Sequence, residues 1–252
     1  MARERTVVKG VVLRAVDTKE SDKILTVLTP DGKLAVVAKG ARSRRSRVTA
    51  CTQLLAYAEF TLSESHGWQY LAEGSTLELF RGVREDVEKL SLASYFAELT
   101  EAAALENTES GEILSLLLNA LYALGTLEKP QALVKAAFEW KLMSLIGFEP
   151  LADGCAYCGV PEPADPVLDV REGVVCCGKC GRGERGLSMP LSGAALAALR
   201  RTLYGDAKRL YSYSLAEPDL TRLGDAGETY VHAMMERGFG TLVLYKSLFP
   251  PG

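Results

Sequence analysis

Residues 5–80 read as all-β, a succession of short apolar, β-branched runs broken by polar turns. Thr6-Val7-Val8-Lys9-Gly10-Val11-Val12-Leu13-Arg14 is rich in β-branched residues, and Ile24-Leu25-Thr26-Val27-Leu28-Thr29 follows after a polar turn. Pro30-Asp31-Gly32-Lys33 is a turn signal that joins the second run to Leu34-Ala35-Val36-Val37-Ala38 as a hairpin. Two further strands are predicted, Leu54 to Leu62 and Trp68 to Leu79, around the turn Ser63-Glu64-Ser65-His66-Gly67. Five short strands with a long break after the third suit a small closed barrel, of the oligonucleotide/oligosaccharide-binding (OB) kind or an SH3-like kind.

After Gly82 the apolar period becomes helical. Leu90, Ala93, Tyr95, Phe96 and Leu99 share one face; Ile113, Leu116, Leu117, Ala120, Leu121 and Leu124 share another. A third helix opens at Pro130 and runs to Ile146 and Gly147, with helical patterning again over Ser192–Leu203 and from Asp219 to Arg237. Residues 151–187 have no periodicity and are rich in Gly, Pro and Cys. The organisation predicted is α+β and multidomain: a barrel domain at 1–80, an α-helical bundle domain at 81–150 and 188–252, and an insert at 151–187.

The chain of 252 residues is 48% apolar and 24% charged, enough for more than one hydrophobic core and ordinary for a globular protein. No run approaches the roughly 18–20 apolar residues of a membrane span. Met1-Ala2-Arg3-Glu4-Arg5 leads into strand-like sequence without an apolar secretory segment, so the expectation is a cytosolic protein. The net charge of −3 conceals an imbalance: residues 1–80 hold 12 Lys/Arg against 9 Asp/Glu, and the remainder is acidic. A basic barrel joined to an acidic remainder fits polyanion contact at one end and protein contact at the other.

The insert carries the sharpest chemical signal. Cys155-Ala156-Tyr157-Cys158 and Cys177-Gly178-Lys179-Cys180 are two Cys-x-x-Cys turns separated by 18 residues, within the spacing of about 15–20 that marks zinc sites. Each pair aims two thiolates at one ion, and the glycine after each can take the positive φ such a turn needs. Four thiolates around a d¹⁰ ion leave no vacant position, so one structural Zn²⁺ is expected at Cys155, Cys158, Cys177 and Cys180. Cys176 could replace Cys177 as third ligand; the x₂ spacing in both halves favours Cys177. Cys51 reads as a small buried residue.

Catalytic signatures are weak. Gly181-Arg182-Gly183-Glu184-Arg185-Gly186 matches G-x-G-x-x-G but trails a cysteine ligand instead of opening a helix after a strand. No P-loop and no G-x-S-x-G occurs, and His66 and His232 are distant in sequence. Asp17, Glu20 and Asp22 cluster on one polar turn, a common arrangement of surface acids. The reading is a protein that is not an enzyme.

Lys39-Gly40-Ala41-Arg42-Ser43-Arg44-Arg45-Ser46-Arg47 has five positive charges and no acid, in the break after strand three. Arginine forks suit phosphate oxygens, so Lys39, Arg42, Arg44, Arg45 and Arg47 are candidate nucleic-acid contacts; the alternative is a solvated loop. Arg14, Lys23 and Lys33 are candidates to extend that face. Trp68 is a candidate for base stacking, beside Tyr70, although aromatics at alternate strand positions also serve as core. With no base-reading motif, binding would follow the phosphate backbone and weaken with salt.

These segments together resemble the RecO family of bacterial recombination mediators. Gly10-Val11-Val12-Leu13-Arg14, Glu20-Ser21-Asp22-Lys23-Ile24-Leu25, Gly32-Lys33 and Val37-Ala38-Lys39-Gly40-Ala41-Arg42 look like its N-terminal signature. Tyr95 to Leu99, Phe138-Glu139, Leu142 to Gly147, Cys155/Cys158 and Leu244 to Leu248 fit it further on. The resemblance implies an OB-fold barrel, a helical domain and a zinc-binding insert. It implies binding of single- and double-stranded DNA, strand annealing, and action with RecR to load RecA on DNA covered by single-strand-binding protein, in a nucleoid-associated cytoplasmic setting. It maps the DNA-contacting loop onto Lys39, Arg42, Arg44, Arg45 and Arg47, and makes Lys135 and Lys141 candidates to receive the tail of single-strand-binding protein. A different class remains open: a zinc-stapled protein–protein adaptor whose barrel binds an acidic protein.

Overall fold

The run of short strands near the N-terminus closes on itself. In the computed structural model, which describes residues 5–180 and 187–250, five strands form a closed barrel. They are β1 (Arg5–Thr18), β2 (Asp22–Thr29), β3 (Gly32–Ala38), β4 (Tyr57–Ser65) and β5 (Trp68–Glu78), in the spatial order β1-β2-β3-β5-β4. All pairings are antiparallel except the closing seam, where β3 and β5 run parallel through Val36↔Gln69 and Val37↔Tyr70. This is the OB arrangement. Val12, Leu25, Val27, Val36, Phe60 and Leu62 fill the interior from alternate strand positions. Closure brings β1 against β2 at Gly10, where a Cβ would stand 2.3 Å from the Leu28 carbonyl oxygen.

The fourth strand starts three residues later than its apolar sequence predicts. Leu55 and Ala56 are buried, but as part of the segment that connects β3 to β4. Leu55 has φ +63, and the pair is held to β1 by Leu55 N–H→Val12 O (2.8 Å) and Val12 N–H→Ala56 O (3.0 Å). Their hydrophobicity serves the packed base of the barrel, so it mimics a strand without belonging to one.

Helices α1 (Arg81–Arg84), α2 (Val87–Ala103), α3 (Gly111–Thr126) and α4 (Gln131–Leu145) follow. A three-stranded sheet, β6 (Pro166–Asp169), β7 (Val174–Cys177) and β8 (Ser188–Pro190), precedes α5 (Gly193–Tyr204), α6 (Asp219–Met235) and α7 (Gly240–Leu248). Two of these starts rest on caps, the second at the predicted position: Asp86 accepts from the Lys89 amide and Ser192 from the Ala195 amide. Among the described residues, no helix is long and apolar enough to cross a membrane.

The chain divides into two units, Met1–Thr126 with Phe239–Gly252, and Leu127–Gly238. The helices therefore do not fall into one body. In the first unit α7 returns to α2, where the Glu98 carboxylate accepts the Thr241 (2.9 Å) and Gly240 (3.3 Å) amides, and Phe239 packs edge-on to Tyr95. In the second, Trp140 of α4 is fully buried, donates to the Leu223 carbonyl of α6 at 3.2 Å and lies against Tyr230. The segment leading into the small sheet is tied to α5 by Arg200, whose guanidinium donates to the Ala152 and Pro161 carbonyls (2.6 Å each) and pairs with Glu162.

A candidate nucleic-acid face and a candidate metal centre

The basic segment between β3 and β4 is anchored at both ends. Ala41 and Cys51 are buried in the barrel core, and Thr49 Oγ1 donates to the Ala41 carbonyl at 3.0 Å. At its start, the Gly40 amide donates to Asp22 Oδ1 (2.8 Å) and the Arg42 amide to the Ser21 carbonyl (2.9 Å). At its end, Arg84 of α1 donates through Nη1 to Gln53 Oε1 (3.3 Å) and through Nη2 to the Leu54 carbonyl. These ties hold the backbone and leave Arg42, Arg44, Arg45 and Arg47 exposed. Between the two anchors, residues 43–47 form turns closed by Ser43 N–H→Gly40 O (3.0 Å) and Ser46 N–H→Ser43 O (2.9 Å). Cys51 is the small buried residue expected, its thiol directed at the Val48 carbonyl.

The exposed cations differ in their surroundings. Arg42 Nε lies 3.1 Å from Asp17, and Lys39 Nζ sits over the Tyr70 ring, 4.7 Å from its centroid. Arg44, Arg45 and Arg47 form no ion pair among the described residues. Trp68 is 51% exposed at the start of β5, so it is not a core aromatic.

Three other candidates are engaged inside the first unit. Arg14 Nε pairs with Glu101 of α2 at 2.9 Å, and Lys33 Nζ donates to the Glu101 carbonyl at 2.9 Å. Lys23 Nζ donates to the Thr52 carbonyl at 3.3 Å. Arg14 and Lys33 thus fasten the barrel to α2 through Glu101, a residue to which the sequence drew no attention. Its acid stands 75 positions from its Thr26 partner, and no local pattern announces such a contact.

The two lysines considered as receptors for an acidic tail are both engaged within the second unit. Lys135 is 9% exposed, with Nζ 2.9 Å from Glu139 and 3.0 Å from Glu228 of α6. Lys141 Nζ donates to the Leu203 carbonyl at 2.9 Å, near the C-terminal end of α5. Lys135 is buried and Lys141 half-buried, and both tie α4 to its neighbours.

In the second unit the sulfurs of Cys155, Cys158, Cys177 and Cys180 all lie within 4.8 Å of one another. Gly159 has φ +73, and its amide donates to the Cys155 carbonyl (2.8 Å) to close the first turn. Cys180 N–H→Cys177 O (2.9 Å) closes the second. The glycine after Cys180 belongs to Gly181–Gly186, which lies outside the described residues together with Arg182 and Arg185. Alternation along β7 separates the neighbours Cys176 and Cys177: Cys177 joins the cluster, and the Cys176 thiol is directed at the Val167 carbonyl (3.6 Å).

The electrostatics of the cluster favour a cation. Burial opposes the Cys155 thiolate, but amides of Cys158, Cys177 and Tyr157 directed at its sulfur outweigh that and bring its pKa down to about 6. Cys180, hydrogen-bonded to the Cys158 sulfur, is pushed up to about 12, and burial raises Cys177. Four sulfurs this close cannot all ionise together unless a cation compensates them. A thiophilic ion of tetrahedral preference fits that donor set, with all four positions taken by protein.

Family models described as recombination protein O N terminal and recombination protein O C terminal match residues 1–80 and 84–242. The DNA repair protein RecO of Acetivibrio thermocellus is 29% identical over 240 residues, 95% of each chain. That of Symbiobacterium thermophilum is 32% identical over 239 residues, covering 91% of this chain and 92% of its own. The Anaeromyxobacter dehalogenans protein of that name is 34% identical over 219 residues, 85% of each. With the two family models together spanning residues 1–80 and 84–242 and these relatives aligned over most of their lengths, the chain belongs to the RecO family.

Proposed function

We propose that this protein is a non-enzymatic, cytoplasmic mediator of DNA repair. It binds single- and double-stranded DNA through the phosphate backbone, anneals complementary strands, and acts with RecR and single-strand-binding protein to load RecA. The observation that carries the reading is the anchored basic segment: three arginines without acidic partners among the described residues, presented on an OB barrel whose backbone is already fixed. A segment whose two ends are already seated costs less ordering on binding, and basic groups between two strands offset the repulsion that opposes annealing. Lys39 supports the same face, and Trp68 offers an exposed ring on which an unpaired base can stack. The four cysteines hold one Zn²⁺ in this reading, as a staple for a small sheet too thin to build a core of its own. RecR and single-strand-binding protein are assigned from family membership alone, without a docking residue.

The tests are a fluorescence titration of single-stranded DNA across salt concentrations and a capture of protein partners with and without nuclease. Affinity that falls steeply with salt supports the reading. Absence of DNA affinity at low salt, with retention of an acidic protein, would replace it by the adaptor.

A further inference from the structure

Arg42 stands apart from the other arginines of its segment. Its Nε lies 3.1 Å from Asp17 Oδ2, and its Nη1 is 3.5 Å from the Glu20 carbonyl oxygen. Asp17 belongs to β1, paired with Lys23 of β2, so the barrel fixes its position and the basic segment does not. Both side chains are open to solvent, Arg42 at 40% and Asp17 at 56%. An ion pair this exposed adds little to the fold. Nor is it needed to seat the loop, because the Gly40 and Arg42 amides are held by Asp22 and Ser21 independently of it.

A carboxylate and a phosphate accept from a guanidinium through the same planar fork, so one excludes the other from that edge. We propose that Asp17 is an internal counter-ion: it occupies Arg42 in the free protein and must be displaced before Arg42 takes a DNA phosphate. Asp17 thereby sets the strength and the salt dependence of DNA binding without serving the fold. This rests on the basic-segment reading above. Arg44, Arg45 and Arg47 meet a strand with no such competitor, whereas Arg42 exchanges one anion for another and returns little net free energy. The consequence is a grip weaker than the number of arginines implies, and a strand that is released more readily.

The experiment is anisotropy of a labelled oligothymidine with the full chain, from low salt to 0.3 M. The proteins are wild type, Asp17→Asn, Glu20→Gln, Arg42→Ala, Asp17→Asn/Arg42→Ala and Arg44→Ala/Arg45→Ala/Arg47→Ala. Freeing Arg42 adds one phosphate contact, worth about 0.7 in the slope of log K against log salt and about fivefold in affinity at 0.1 M. Asp17→Asn is expected to show both changes, with an unchanged melting temperature. Glu20→Gln removes the same charge from a residue that meets Arg42 through its carbonyl, and should gain less. In the Arg42→Ala background the gain from Asp17→Asn should vanish. The counter-ion is overturned if Asp17→Asn binds no tighter, if Glu20→Gln matches it, or if its gain survives without Arg42. Unchanged affinity of the triple variant would instead refute the basic-segment reading itself.

Discussion

Lys135 allows the interior of the second unit to be tested quantitatively. Its ammonium lies 2.9 Å from Glu139, whose side chain is wholly buried, and 3.0 Å from Glu228. Each pair supplies about 5 kcal/mol of gross attraction at an effective dielectric near 20, most of it offset by the desolvation of the ions. Lys135→Ala removes the cation but leaves the buried carboxylate, so the loss should approach the ~3–5 kcal/mol seen when one partner of a buried pair is deleted. Lys135→Met with Glu139→Leu removes both charges and should recover most of that loss. The pH dependence has a definite sign. Burial lowers the Lys135 pKa, but Glu139 and Glu228 together outweigh it, so the folded value lies above 10.5. The stability contributed by this lysine is therefore complete below pH 10.5 and is lost only as pH rises through the folded value. The assay is urea unfolding in a Trp68→Phe background, where buried Trp140 alone reports on the unit that contains Lys135. A loss below about 1 kcal/mol would refute the buried-triad argument, because an exposed pair costs no more than that.

Metal analysis should return one zinc per chain, lost in Cys158→Ser and Cys177→Ser and kept in Cys176→Ser, whose thiol lies outside the cluster. Retention in Cys177→Ser with loss in Cys176→Ser would invert the ligand assignment, and chelation should open residues 151–180 to protease. Gly10→Ala should destabilise the barrel by about 1–3 kcal/mol in thermal unfolding, since its Cβ would meet the Leu28 carbonyl at 2.3 Å. An unchanged melting temperature would mean that β1 and β2 do not approach that closely.

Much of this molecule was legible from local pattern. The β1–β2–β3 meander follows from β-branched runs and one Pro-Asp-Gly turn, and the cysteine pairs announce their cluster by spacing alone. The start of β4 was misread because Leu54-Leu55-Ala56 is apolar for a reason other than strand pairing. Lys135 and Glu139 are visibly an i,i+4 pair. What makes them a buried pair is α6, whose Glu228 lies 93 residues from Lys135, beyond the reach of periodicity. The return of α7 to Glu98 spans 143 positions to Thr241 and is hidden for the same reason. The basic segment was legible as charge, whereas its anchoring by Asp22, Ser21 and Arg84 required the fold. Asp17 was noted only as a surface acid, and its place beside Arg42 gives it meaning.

The central claim is that Arg44, Arg45 and Arg47 meet DNA phosphates. It is tested most directly by the salt dependence of single-stranded DNA binding for wild type and the Arg44→Ala/Arg45→Ala/Arg47→Ala variant. Each arginine that displaces a counterion contributes about 0.7 to the slope, so the variant should lose about 2 in slope and about a hundredfold in affinity at 0.1 M salt. An unchanged slope, with fold and metal content intact, would contradict the account.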